Sequence, residues 1–345
     1  MINDLPLLEI RDLSVDYLAL RGEVRAVDNV SLTLRRGEIL GLAGESGSGK
    51  STLITALMRL QRPPAVTAGG QILLHRGDSD PIDLVTMSER QLRQLRWTKL
   101  SIVMQSAMDA LNPVKRLGIQ FVDVLRTHDA SLSKKQALVR ASELLELAGI
   151  PADRLMSFPH EMSGGMRQRS LIALALACDP DIVVMDEPTT AVDVVMQRSI
   201  LSKVLELQRS LGFAVVFVTH DLSLLLELAD RVAIMYAGQI VEIGPARQLY
   251  SAPQHPYTRA LRDSFPPLYA PLREMSGLPG TPPDLRHLPD GCRFAPRCPK
   301  AMDRCAHTQP ELLQIGNSEV ACLLHDGEHS DLDQHASRTT AGVSA

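Results

Sequence analysis

Gly44-Glu45-Ser46-Gly47-Ser48-Gly49-Lys50-Ser51 fits the pattern G-x-x-x-x-G-K-S/T and follows the apolar run Ile39-Leu40-Gly41-Leu42-Ala43, which reads as a buried strand. The combination describes a phosphate cradle between a strand and a helix. Glycines at 44, 47 and 49 let the backbone turn tightly and aim its N–H groups inward, where the N-terminus of the following helix adds partial positive charge. Lys50 then sits on the β- and γ-phosphates, and the Ser51 hydroxyl is placed to ligate Mg²⁺. Glu45, Ser46, Ser48 and Thr52 complete the nucleotide-binding stretch. A glycine-rich turn without ligand is the plain alternative, and the G-x-G-x-x-G of oxidoreductases fits less well.

Two more strand ends point to the same chemistry. Asp181-Ile182-Val183-Val184-Met185 is a second buried-strand run, and it leads into Asp186-Glu187. An acid at the carboxyl end of such a strand can hold Mg²⁺, and the next one can orient or deprotonate an attacking water, so Asp186 is read as the metal acid and Glu187 as the base. A third run, Phe213 to Val218, ends in Thr219-His220-Asp221 and brings an imidazole to the same sheet edge, within reach of a γ-phosphate. Between them, Met162-Ser163-Gly164-Gly165-Met166-Arg167-Gln168-Arg169 opens a mostly apolar helix, with Ser163 as its cap and Gly164 and Gly165 at its phosphate-facing end.

Together these residues resemble the ATP-binding-cassette (ABC) ATPases over roughly residues 8 to 250. The resemblance implies an α/β fold, an ABC-type P-loop ATPase with a RecA-like core, a mixed sheet and a helical subdomain, and it implies ATP and Mg²⁺. Gly44 to Ser51 match Walker A, Ile182 to Asp186 match Walker B, Glu187 matches the catalytic glutamate, and Ser163 to Gly165 match the signature loop. Gln105 resembles the glutamine that touches Mg²⁺ and senses the membrane subunit. Thr190-Ala191-Val192-Asp193 looks like the D-loop, and His220 like the switch histidine. Tyr17 matches the aromatic that stacks on adenine, although a tyrosine near an N-terminal strand equally suits sheet packing. Met162, Met166 and Val192 depart from the commonest family residues but keep apolar or flexible character. In the family two cassettes face head to tail, each ATP lying between one Walker A loop and the other signature.

Length and composition fit one such domain plus an appendage, because 345 residues exceed a usual single domain and only one phosphate loop occurs. A net charge of −4 without a basic block argues against nucleic acid as a partner. Met1 to Pro6 lacks the basic flank and apolar core of a secretory signal, and no apolar run approaches the ~18 to 20 residues of a membrane helix. The expected organisation is a nucleotide-binding domain over 1–250, with a helical subdomain over about 88–160 that starts near Ser88 and has a helix ending at Gly149. By resemblance, Asp109 to Val114 is the contact with the coupling helix of a membrane subunit; the residues alone read as a surface loop.

Past residue 250, prolines at 253, 256, 266, 267, 271, 279, 282 and 283 predict a linker wrapping the core, and 251–330 is expected to form a C-terminal domain. Ser251 to Leu261, with His255-Pro256-Tyr257 at its centre, resembles the signature of the oligopeptide/dipeptide/nickel importer ATPases; without the resemblance it is only a turn. Residues 331–345 are polar and expected to be disordered. Cys178 in the signature helix reads as an inert core thiol. The other cysteines, Cys292, Cys298, Cys305 and Cys322, are spaced C-x5-C-x6-C-x16-C, which suggests a metal or cluster site, with zinc, a 4Fe–4S cluster and four free thiols all open. His325 is an outside candidate ligand. The importer resemblance, which includes Gly291 to Pro299, favours the iron–sulfur reading.

What the resemblance implies is an ATP-hydrolysing subunit at the cytoplasmic face of the membrane, driving uptake of dipeptides or oligopeptides. Its partners are then a second, different ABC ATPase subunit, two permease subunits and an extracytoplasmic solute-binding protein. Nickel or an oligosaccharide is the alternative cargo. A soluble ABC ATPase acting on DNA or ribosomes is the rival class, and the chain shows neither its second cassette nor room for a long coiled coil between Lys50 and Asp186.

Overall fold

The computed structural model describes residues 3–19, 22–77, 79–104, 110–189, 194–264, 278 and 280–326. Gln105, the Asp109 end of the expected contact, the D-loop residues Thr190 to Asp193 and the tail from 331 lie outside them. Two sheets organise the chain. Strands β1 (Asn3–Ala19) and β2 (Gly22–Arg36) form an antiparallel sheet with β4 (Ala65–Arg76) and β5 (Ser79–Asp83), in the order β2-β1-β4-β5. The second sheet has the order β11-β12-β10-β9-β3-β8-β7-β6.

In the second sheet β3 (Ile39–Ala43), β6 (Leu100–Val103), β7 (Ile182–Asp186), β8 (Ala214–Val218) and β9 (Arg231–Tyr236) are parallel. Every residue of β3, β7 and β8 is buried, as uninterrupted apolar runs require when a parallel sheet is covered on both faces. Side chains alternate between two cores. Leu40, Leu42, Val184 and Val216 pack with Leu53, Ile54 and Leu57 of α1 (Lys50–Leu57) and with Leu8, Ile10 and Val27 of the antiparallel sheet. Val183, Val215 and Val232 face the other way, toward Phe121, Leu144, Ile172 and Leu201.

The helical stretch expected over 88–160 is divided by β6, whose Leu100 to Val103 pair with Ile182 to Met185 of β7. Only α2 (Glu89–Leu95) precedes it, while α3 (Leu117–His128) and α4 (Lys134–Leu147) follow. Ser133 caps α4 by accepting the Gln136 N–H, and the side chain of Gln136 returns a contact to the Ser133 N–H. Next comes α5 (Gly164–Ala175), which packs against α4, β6 and α6 (Val194–Leu211).

Beyond residue 250 the described residues hold regular structure where the sequence alone reads as a turn, while Pro266, Pro267, Pro271 and Pro279 lie outside them. After α7 (Leu222–Leu228), β10 (Gln239–Pro245) and α8 (Ala246–Ser251), Pro256 opens α9 (Pro256–Asp263), a position where its missing N–H leaves no bond unmade. His255 caps that helix by accepting the Tyr257 N–H at its Nδ1 (3.0 Å), and its ring also bonds to the backbone of Ala321. The carboxylate of the fully buried Glu242 accepts the N–H groups of Gln254 and His255, both at 2.9 Å. Strands β11 (Leu313–Ile315) and β12 (Ser318–Val320) form a hairpin, and β12 extends the core sheet by pairing Val320 with Glu242 and Glu319 with Ile243. The chain around the last cysteine is thereby tied to the cassette sheet.

Burial keeps His255 neutral and, with the nearby His325, pushes its pKa from 6.5 down to about 3. The unfolded chain protonates this imidazole first, so its contribution to stability is present above pH ~6.5 and is lost as pH falls toward 3. Urea unfolding between pH ~5.5 and 4.5 should show the native chain losing about 1.4 kcal/mol per pH unit more than His255→Gln, the signature of one extra proton taken up on unfolding, with a smaller difference near pH ~7. Equal slopes would remove His255 from that role.

Candidate nucleotide site

The phosphate loop connects the end of β3 to α1, and its shape depends on two glycines. Gly44 has φ +147° and Gly49 φ +104°; a Cβ on the first would lie 2.2 Å from the Met235 carbonyl oxygen, and one on the second 2.3 Å from that of Ala26. The loop is therefore pressed against neighbouring backbone, which no side chain at either position would permit. The Ser48 carbonyl accepts the Gly238 N–H at 2.9 Å, bracing the loop on the β9–β10 turn. Lys50 bends back over it, donating to the carbonyls of Gly44 (2.8 Å) and Glu45 (2.9 Å). Burial lowers the Lys50 pKa, opposed by the charges of Glu187, Asp186 and Glu45. The ammonium thus lies in the field of both acids predicted to work with it.

Those acids stand where β7 ends, beside β8, which itself pairs with β3. Asp186 is 6% exposed, and burial followed by the Glu187 charge raises its pKa to about 6, with Lys50 working in the other direction. A buried carboxylate next to a hydroxyl-bearing loop is a hard-oxygen donor set, which suits Mg²⁺ held by Asp186 and Ser51. Glu187 has φ +45°, a left-handed conformation that costs a non-glycine residue about 1–3 kcal/mol, and its N–H donates to the Val218 carbonyl at 2.8 Å. That turn sends the carboxylate to His220, whose Nδ1 lies 3.1 Å from Glu187 Oε1. Acid and imidazole thus meet at one edge of the sheet.

Tyr17, on β1, places its hydroxyl 3.2 Å from Thr52 Oγ1, so the ring flanks the first turn of α1 rather than the middle of the sheet core. Ser163 caps α5 by accepting the Met166 N–H (3.3 Å) and is exposed, whereas Gly164 is half-buried and Gly165 is buried against Met196. The Met162 N–H donates to the Pro159 carbonyl (3.2 Å), and Arg169 donates to the Gly149 carbonyl (3.0 Å). Gln105 and Asp193 lie outside the described residues.

All five cysteines are free thiols. Burial pushes Cys178 up to about 11, as an unreactive packed thiol requires. Burial likewise raises Cys292, Cys298 and Cys322, and Cys322 is raised further by Cys292, Cys298 and Cys305, so the four predicted ligands share one neighbourhood. Among the described residues, however, no group of three or more His, Cys, Asp or Glu side chains stands ready to hold a metal ion. A tetrahedral zinc site with ~2.3 Å bonds needs sulfurs about 3.8 Å apart, so these thiols do not form one as they stand. His325 turns its Nε2 to the Gln254 carbonyl (3.3 Å) instead.

The contacts that sequence reasoning missed join the C-terminal segment to the phosphate loop. The Tyr257 hydroxyl accepts the Glu45 N–H at 2.9 Å, and Arg297 grips the Glu45 carboxylate with both terminal nitrogens at 2.6 and 3.0 Å. These partners are 212 and 252 residues apart, beyond the reach of any spacing rule.

A family model described as ABC transporter matches residues 27–190, and one described as the C-terminal region of oligopeptide/dipeptide transporters matches 241–305. The chain is 42% identical to the "Oligopeptide transport ATP-binding protein OppD" of Bacillus subtilis over 331 residues, covering 94% of this chain and 91% of that protein. It is 41% identical to the "Probable D,D-dipeptide transport ATP-binding protein DdpD" of Escherichia coli over 321 residues, 92% and 95% of the two chains. Among solved structures, the ATP-binding cassette MJ0796, in a dimeric post-hydrolysis state bound to ADP and Pi, superposes with a TM-score of 0.61 at 26% identity over 70% of this chain and 99% of that one.

Adding a methyl group at Gly49 demands both a positive φ and a new gap at Ala26. Gly49→Ala should therefore lower stability by about 2 kcal/mol or more and weaken nucleotide binding at least tenfold, checked by urea unfolding and by titration with a fluorescent ATP analogue.

Proposed function

The chain belongs to the ABC ATP-binding subunits of the oligopeptide/dipeptide transporter family, and from that premise we propose that it hydrolyses ATP to drive uptake of dipeptides or oligopeptides through a membrane permease. The observation that carries this reading is the convergence of Lys50, Asp186, Glu187 and His220 at the carboxyl ends of adjacent parallel strands. Lys50 exchanges its carbonyl partners for the β- and γ-phosphates, while Tyr17 offers a face for the adenine. Asp186 and Ser51, with Gln105, would hold Mg²⁺, which neutralises charge on the transferring phosphoryl group. Glu187, steadied by His220, orients and deprotonates the attacking water. Ser163, Gly164 and Gly165 complete the site of a second cassette, and Asp193 belongs to the same dimer face.

No helix among the described residues is long and apolar enough to cross a membrane. In this reading the chain meets two permease subunits at the cytoplasmic face, beside a second, different ATPase subunit. A solute-binding protein delivers the cargo on the other side. Cys292, Cys298, Cys305 and Cys322 would be the ligands of a 4Fe–4S cluster, which would cross-link the C-terminal segment without taking part in hydrolysis.

Glu187→Gln should keep ATP binding while lowering turnover by 10² or more, because it removes the proton acceptor and leaves Asp186 in place; wild-type turnover in that variant overturns the role. Transport assays in vesicles carrying the complete importer should then show peptide uptake lost in parallel. For the cysteines, anaerobically prepared protein should carry about four irons per chain, lost on replacing any one of the four by serine. Zinc instead of iron would reject the cluster.

A further inference from the structure

An acidic residue within a phosphate-binding loop is electrostatically out of place, since Glu45 adds a negative charge to a loop built for an anion. The structure cancels that charge from the far end of the chain. Arg297 is 6% exposed in its side chain and holds the Glu45 carboxylate bidentately, the strongest geometry available to such a pair. Its guanidinium also donates to the Tyr236 hydroxyl at 3.3 Å. Four residues earlier, Arg293 donates to the Ala237 carbonyl (2.5 Å) and pairs with Asp28, while Ala237 adjoins the Gly238 that braces Ser48. Phe294 lies between the two arginines in a buried cluster with Tyr236 and Tyr257, ring centroids 5.3 Å away in each case. Tyr257 reaches out of that cluster to the Glu45 N–H.

The short loop from Cys292 to Cys298 therefore forms the back wall of the phosphate loop. We infer that Arg297 and Tyr257 are positioning residues for nucleotide binding: acting through Glu45, they hold the loop in its phosphate-accepting shape and neutralise the one charge in it that would repel ATP. The cassette then binds nucleotide at full strength only with its C-terminal segment docked. This rests on the reading of Gly44 to Ser51 as the ATP site.

Titration of the full-length chain with a fluorescent ATP analogue tests it. Arg297→Gln should weaken binding about tenfold, with the loss shrinking as salt rises from 0.05 to 0.5 M, because exposed charge repulsion is screened. The double variant Glu45→Gln/Arg297→Gln should recover most of the affinity, since the repelling charge is gone. Tyr257→Phe, which removes one oxygen from a buried ring, should weaken binding severalfold, and it serves as the test if Arg297→Gln does not fold. Affinity within twofold of wild type in the folded single variants, or a double variant as weak as Arg297→Gln, overturns the inference. Lys50→Ala separates the two readings: if it binds the analogue as well as wild type, the site assignment itself fails, whereas loss in Lys50→Ala with none in the Arg297 and Tyr257 variants defeats only the inference.

Discussion

The requirement that a short loop present its backbone N–H groups to an anion governs the rest of this structure. Gly44 and Gly49 take conformations that no other residue would share, with a Met235 carbonyl and an Ala26 carbonyl where their side chains would be. So close an approach needs a rigid frame, and the frame is the pair of sheets whose apolar faces meet over α1. Loops of this kind work only when the scaffold holds them, because the loop itself buries too little to determine its own shape.

Charge is distributed around that loop in an order that follows from burial. Lys50 is drawn inward and loses some of its preference for the charged state, Asp186 is raised to about 6, and the more open Glu187 is held by His220. A bound cation would lower the Asp186 pKa, and phosphates would favour the charged form of Lys50. The left-handed backbone at Glu187 adds local strain where the chemistry is expected, in keeping with a site whose geometry is maintained by its surroundings.

The C-terminal segment extends the same frame. Its hairpin adds two strands to the core sheet, its buried histidine ties α9 to Ala321, and its aromatic cluster fills the space behind the phosphate loop. Pro256, one of the prolines read as part of a linker, starts a helix, a position where its fixed φ and missing donor suit the first turn.

Much of the candidate site was legible in the amino-acid sequence, because its elements are local. Continuous apolar runs mark strands buried on both faces, a glycine pattern marks a loop that must turn tightly, and Asp186, Glu187 and His220 follow their strands directly. The sequence alone determined those residues and their shared sheet edge. Other features were decided only by the tertiary structure: β6 within the expected helical stretch, the place of Tyr17 beside Thr52, and the grip of Arg297 and Tyr257 on Glu45. The physical reason is that such contacts join groups far apart along the chain, where no periodicity or spacing constrains them, and they form only once sheet order and core packing have brought the segments together.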